Sequence, residues 1–431
     1  MTLDNFPTTR PSFTANFARS QQMPPQFTFS RATPGTNPSP GTVTGPNGTF
    51  LSDYNTPRFA WKDGKCQGLL IEEGSTNRQT YSQDGTQWTL TDGTSKTNNQ
   101  PGAPDSSSTA VRILSVYTGE LTLPSISGVN ASGPFVVEYD LAANPPTTTK
   151  SAPGVGGYND DLHNCGVEVL ANGWYRIWQS YNTIFAYSVY VKPDGATTFK
   201  MQFDTNQVTL YVDGSSTTGG YFWGGQFETL GFPTSYIPTS GSTATRASDL
   251  CIIQNNAWLD IWNTPGSKTI VCEGLSSTYS SADAEVGDGP LMFNIRYPYN
   301  NQTQSFNFYL NGSNRNPAVS ANNPAVQNYH DNAIPDNNDP AFFKGAVTFQ
   351  LADNKIPSAF NGTIASSIDK ATSAGFFLNQ LKNPASNLDN NALRIGGQNI
   401  GTEKWRWNGP ISRFAIYNDE VSDETLEALT Q

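Results

Sequence analysis

Charge is scarce in this 431-residue chain: Asp, Glu, Lys and Arg make up 14% of it, against about a quarter in an average soluble protein. What charge there is leans acidic, with 25 basic against 36 acidic side chains and a net of −11, and no basic run occurs. A surface for nucleic-acid phosphates is therefore excluded, because such binding rests on clustered Lys and Arg. Long hydrophobic runs are missing too. Nothing approaches the ~18 apolar residues that cross a bilayer, and the opening MTLDNFPTTRPSF is polar and proline-broken, unlike a secretory signal. The expectation is a soluble product of the cytosol with no membrane insertion. The four cysteines (Cys66, Cys165, Cys251, Cys272) lie far apart with no C-x-x-C pair, which fits neither a disulfide framework nor a zinc site. All four are expected reduced and mostly buried.

Histidine is scarcer still, with His163 and His330 the two in the chain, both in polar loops where nothing locks an imidazole for a Ser-His-Asp or Cys-His site. His163 and Cys165 come closest to a dyad, yet the Asn and Gly around them read as a turn. No phosphate cradle or cofactor motif is present: the glycines of GVGGY and of the two GGQ strings lack a following Lys-Ser/Thr. No cofactor is expected.

What the chain does have is aromatic residues, at 12%, and 38 glycines with 29 prolines. Aromatic and β-branched residues suit a pleated surface, while Gly, Pro, Asn and Ser suit tight turns. The fold class that follows is all-β, with three stretches. Residues 1–75 carry prolines at 7, 11, 24, 25, 34, 38, 40, 46 and 57, too dense for long helices or central strands. Rings recur through the same stretch, among them Phe6, Phe13, Phe17, Phe27 and Phe29, so it is no solvated tail. Two readings stay open: an extended arm that orders along a partner, with those rings in its pockets, or an arm folded back on its own domains. Residues 76–250 alternate as strands in PFVVEYDLA, GWYRIWQSYN, FAYSVYVKP, TFKMQFD, QVTLYVDG and GYFWGGQFETL, a β-sandwich of jelly-roll type. NPPTTTKSAPGVGGYNDD and NNQPGAPDSSS read as loops between them. Residues 251–431 form a second sandwich, interrupted by an Asn-rich lobe around 314–340 and ended by SDETLEALT, a short helix capped by Ser422 with Leu426 and Leu429 on one face.

Candidate chemistry follows from this frame. Asp283, Glu285 and Asp288 in SSADAEVGDGP read as an exposed acidic loop, a weak Ca²⁺ ligand set or, for Asp283 and Glu285, a glycosidase-like pair. Glu72 and Glu73 read as structural, one pairing Arg78 and the other facing water. Sugar rings stack on aromatic faces while amides and guanidinium groups bond their hydroxyls, so Trp174 and Trp178 in NGWYRIW, and Trp405, Arg406 and Trp407 in EKWRWNG, are the carbohydrate-binding candidates. Trp405 and Trp407 follow a turn and are expected exposed, whereas Trp223 is expected in the core. Tyr236 and Pro238 hold an extended exit from the first sandwich, and Arg246 and Asp249 pair or cap locally at the handover to the second.

Three groups of strings then resemble one family. FPTTRPSFTANFARS, FTFSRATPGT and TPRFAWKDGKCQGLLIEEGSTN come first; NGWYRI and FWGGQFETLGFPTSYIPTSGSTATRASD follow; FNGTI, ALRIGGQ and WNGPISRFAIYNDEVSDETLEALTQ end the chain. In this order they are similar to phage head-spike and tail-fibre proteins. The resemblance implies a leader, a carbohydrate-module-like jelly roll and a closing laminin-G or concanavalin-like sandwich. It further implies a non-enzymatic, oligomeric virion component with no catalytic set to carry over. The chain departs from the family in placing FAYSVYVKP after GWYR and in the 314–340 lobe. The leading expectation is a structural protein of a tailed-phage virion, attached through residues 1–75 to other virion proteins, homotrimeric, and touching host-surface glycans. The alternatives are a polysaccharide-degrading appendage using Asp283 and Glu285, and a purely architectural decoration protein.

Overall fold

The structure is a computed structural model that describes residues 10–31, 41–46, 50–53, 56–90, 94–115, 118–122, 135–151, 164–181, 185–204, 207–253, 266–276, 291–299, 302–310, 317–321, 327–329, 341–350, 355–369, 392–397 and 407–431. It is nearly all β, as the alternation predicts; among the described residues the α-helices are one short helix at the C-terminus and a single turn at Phe17–Ser20. The chain divides into two compact units that are discontinuous in sequence. Unit 1 comprises Met1–Ala32, Asn55–Glu73 and Ser248–Gln431, and unit 2 comprises Thr33–Tyr54 and Gly74–Ala247.

Unit 2 is a β-sandwich of two six-stranded sheets. One sheet runs in the order Cys165–Val169, Tyr175–Tyr181, Phe185–Asp194, Gly219–Glu228, Ala110–Ser115, Thr94–Gln100. The other runs Thr147–Ser151, Phe135–Asp140, Thr198–Asp204, Gln207–Asp213, Thr118–Thr122, Thr89–Leu90. Strict two-residue alternation puts Ile177, Val189, Val191 and Phe222 of the first against Val137, Tyr139, Phe199, Met201, Leu210 and Val212 of the second, all at most 1% exposed. The stretch expected as a loop after Asn144 includes the strand Thr147–Ser151. It sits at a sheet edge with four of its five side chains exposed, and it has no apolar alternation to announce it.

Unit 1 packs an eight-stranded sheet on a seven-stranded one. Its first sheet centres on Gly409–Tyr417, which lies between Lys268–Ser276 and Lys65–Ile71. Every residue of Gly409–Tyr417 is buried, because Ile411, Phe414 and Ile416 enter the inter-sheet core while Ala415 and Tyr417 meet the C-terminal helix on the opposite face. That helix, Asp423–Thr430, starts where expected: the Ser422 side chain accepts from the Thr425 N–H, and Leu426 and Leu429 are buried.

The described parts of the first 75 residues supply strands to both units. Phe13–Asn16 pairs antiparallel with Gly409–Tyr417, and Phe27–Ser30 with Leu250–Ile253. Prolines 24, 25 and 57 fall in the gaps before strands, where no ladder donor is lost. The division into three consecutive stretches is thereby corrected: the described part of 1–75 is not an independent arm but contributes strands to both units.

Candidate functional site

In unit 2 the sheet containing Thr198–Asp204 and Gln207–Asp213 turns a polar face away from the core. Glu138, Lys200 and Tyr211 stand opposite one another on three neighbouring strands, with Gln202 two residues from Lys200 and Asp213 two residues from Tyr211 on the same face. Lys200 Nζ lies 3.2 Å from Glu138 Oε2 and 3.3 Å from Asp213 Oδ2, and Tyr211 Oη donates to Gln202 Oε1 at 3.3 Å. Partial burial pulls the Lys200 pKa down, but bonds to and charges on Glu138 and Asp213 outweigh it and hold the pKa above the ordinary lysine value. Chemically this face offers a phenol ring, an amide and fixed charges, a set that bonds hydroxyl groups. The signal lies in Thr209-Leu210-Tyr211-Val212-Asp213, where polar residues alternate with core ones and no tryptophan marks the face.

The outer face of the other sheet is closed by the chain itself. Trp174, Tyr190, Trp223 and Tyr236 form a buried aromatic cluster, in which the Trp223 and Tyr236 ring centroids lie 4.8 Å apart. Arg176 donates to Ser188 Oγ at 2.8 Å and to the Thr234 carbonyl at 2.6 Å, with its guanidinium 5.6 Å from the Tyr190 ring centre. Glu228, fully buried, accepts from Gln226 Nε2 at 2.7 Å, the Thr234 N–H at 2.9 Å and Thr234 Oγ1 at 2.5 Å. The string GQFETLGFPTSYIPT thus folds back over its own sheet, so Tyr236 anchors a cover as well as holding an exit.

These placements correct two of the sugar-stacking candidates. Trp174 is 2% exposed, with Nε1 donating to the Gly102 carbonyl at 2.8 Å, and Trp407 is fully buried with its ring edge-on to Phe343. Neither offers a ring face to a ligand, and the exposure expected for Trp407 fails because the residues after it run straight into the central strand Gly409–Tyr417. Trp223 is core as expected, and Trp178 is half-buried. Trp405, Arg406, Phe6, His163, His330, Asp283, Glu285 and Asp288 lie outside the described residues. Among the described residues no three His, Cys, Asp or Glu side chains gather as a metal site. The cysteines are free, Cys251 and Cys272 buried and Cys66 and Cys165 half-buried, and burial pushes the Cys251 and Cys272 thiols well above the usual range.

The rings expected to seat in a virion partner close on their own unit instead. Phe17 and Phe27 are buried in the unit 1 core at a centroid distance of 5.6 Å, Phe13 lies 5.8 Å from Phe27, and Phe29 packs beside them. Nearby sits a buried ionic quartet. Asp249 Oδ1 takes Arg31 Nε at 2.5 Å and its Oδ2 takes Arg58 at 2.7 Å, while a second contact from Arg58 reaches Glu72 Oε2 at 2.7 Å. The Glu72 N–H also donates to Asp249 Oδ2 at 3.0 Å, and the Asp249 N–H donates to the Glu72 carbonyl at 2.9 Å. Burial works against the Arg58 charge, and Asp249 and Glu72 more than offset it, raising its pKa. Two expectations change accordingly. Glu72 pairs with Arg58 and both Glu72 and Glu73 are buried, and Asp249 engages segments nearly two hundred residues upstream rather than acting as a local cap.

No helix among the described residues is long and apolar enough to cross a membrane. No protein-family model matches the chain, and no curated protein matches it. Among solved structures it is similar to the CBM40 domain of the Ruminococcus gnavus IT-sialidase bound to α2,6-sialyllactose, at 15% identity over 38% of this chain and 84% of that one, with a TM-score of 0.29. It is also similar to the leech intramolecular trans-sialidase, at 18% identity over 38% of this chain and 23% of that one, with a TM-score of 0.28. The full extracellular region of zebrafish Gpr126/Adgrg6 aligns at 11% identity over 79% of this chain and 38% of that one, with a TM-score of 0.25.

Proposed function

We propose that this chain is a non-catalytic structural protein of a tailed-phage particle that contacts host-surface glycans through the open face of unit 2. One observation carries the reading. Six charged residues of the strings that resemble head-spike and tail-fibre proteins (Arg31, Arg58, Glu72 and Asp249 in unit 1, Arg176 and Glu228 in unit 2) are buried as framework, while others in the same strings, such as Lys62, Asp63 and Asp423, are exposed. A resemblance held by framework residues is what a display scaffold needs, since its exposed faces are then free to suit a partner. On this reading Tyr211, Gln202, Lys200 and Glu138 supply the sugar contacts, and a homotrimer multiplies weak single sites through effective concentration.

Two measurements test it. Glycan-array and adsorption-inhibition assays with the full chain should show binding that falls at least tenfold in Tyr211→Ala/Gln202→Ala while the melting curve stays put. Mass spectrometry of purified particles should find the chain at fixed copy number. Release of new reducing ends from host polysaccharide, or absence from the particle, would overturn the proposal.

A further inference from the structure

The open face of unit 2 has a definite sign of charge. Glu138 and Asp140 alternate with buried Val137 and Tyr139, so both carboxylates project outward from Phe135–Asp140. Lys200 and Asp213 project from neighbouring strands on the same side, whereas Lys150 stands opposite core-facing Val137 and belongs to the other side. Among the described side chains of this face the charged groups are thus three carboxylates and one ammonium.

The Lys200 ammonium has three N–H donors. Two are taken by Glu138 Oε2 at 3.2 Å and Asp213 Oδ2 at 3.3 Å, which leaves one to donate while its positive charge is matched by two negative ones. Asp140 adds a third carboxylate, whose Oδ1 accepts from the Ala142 N–H at 2.9 Å. Gln202 Oε1 accepts from Tyr211 Oη, so the Gln202 amide is turned to present its two N–H groups as neutral donors. A sugar hydroxyl both donates and accepts, and it can meet this mixture of N–H groups and carboxylate oxygens. A carboxylate on a sugar only accepts, and it would have to compete with Glu138 and Asp213 for one ammonium against a surplus of like charge. We propose, resting on the glycan-binding reading above, that this face takes uncharged hydroxylated sugars and rejects sugars bearing a carboxylate. Glu138 and Asp213 set the preference by masking Lys200, an element of repulsion built into the site.

The full chain tests this on an array of neutral oligosaccharides of hexoses and N-acetylhexosamines, set beside the same oligosaccharides oxidised to uronates at the primary hydroxyl. Expected is roughly tenfold weaker binding of the uronates than of their parents at low salt, narrowing at about 1 M salt, where the Debye length falls to ~3 Å. Glu138→Gln/Asp213→Asn leaves one carboxylate and one ammonium on the face, and uronates should then bind as well as their parents or better. Should circular dichroism show that this variant does not fold, the wild-type ratio at the two salt concentrations decides. Uronates bound by the wild type as tightly as their parents, or a ratio unchanged in the folded variant, would overturn the specificity while leaving glycan binding in place. Retention of no member of the array would remove the glycan-binding reading itself, and the specificity with it.

Discussion

At the scale of single residues, depth separates ion pairs that matter from those that do not. Asp249 is fully buried and faces two guanidinium groups, whereas Lys200 meets Glu138 and Asp213 with 30–46% of those side chains open to water. Removing one member of a buried set strands the others without compensation, a cost of roughly 3–5 kcal/mol, while exposed pairs are worth roughly 0–1 kcal/mol. Asp249→Ala is therefore expected to lower the stability of unit 1 by about 3–5 kcal/mol. Lys200→Ala should shift the unit 2 transition by no more than about 1 kcal/mol. Guanidinium melts followed by tryptophan fluorescence measure both, and equal effects would show that the quartet contributes no more than surface charge.

Among elements, the C-terminal helix joins an N-cap to a pH dependence. Ser422 accepts from Thr425 N–H, and replacing such a cap by Ala costs about 1 kcal/mol, so Ser422→Ala should loosen Leu426 and Leu429 from the sheet by that amount. The Glu424 carboxylate has its pKa lowered, first by its own backbone N–H and then by the Ser422 hydroxyl. A depressed carboxylate contributes fully above the ordinary glutamate range and loses its contribution as pH falls through the folded value. NMR titration should thus give Glu424 a midpoint below the ordinary glutamate range, with amide exchange in Asp423–Thr430 quickening over the same acid range. This helix was legible in the sequence because its cap and apolar spacing are local. So were most strands of both sandwiches, where the two-residue alternation survives. Thr147–Ser151 was not, since an edge strand wet on both faces needs no apolar residues, and neither were the short strands of the first 75 residues, whose partners lie far along the chain. The open face around Tyr211 was readable as alternation, yet nothing local set it above the tryptophans. Trp174 and Trp407 were misread because burial depends on the cover and core that distant segments supply.

For the whole molecule, residues 10–31 are structural members of unit 1. Phe17 and Phe27 are buried in its core, and Arg31 completes the quartet. Deleting residues 1–32 should destabilise unit 1 by about 3–6 kcal/mol from the two phenylalanines alone, at roughly 1.5–3 kcal/mol each. Calorimetry should show the unit 1 transition lowered or lost while that of unit 2, which contains none of these residues, persists. An unchanged unit 1 transition would restore the view of a detachable arm.

The pairing of Phe13–Asn16 with Gly409–Tyr417 also sets a schedule. Ser12 Oγ bonds the Ile416 carbonyl across 404 residues. At translation speeds of about 5–20 residues per second, the early strand waits on the order of 20–80 s for its mate to leave the ribosome, while Gly74–Ala247 emerges in between. Unit 2 is thus free to mature during synthesis, and the eight-stranded sheet of unit 1 closes after its central strand is released. An early stop codon would spare the one and leave the other an open seam for chaperones and proteases.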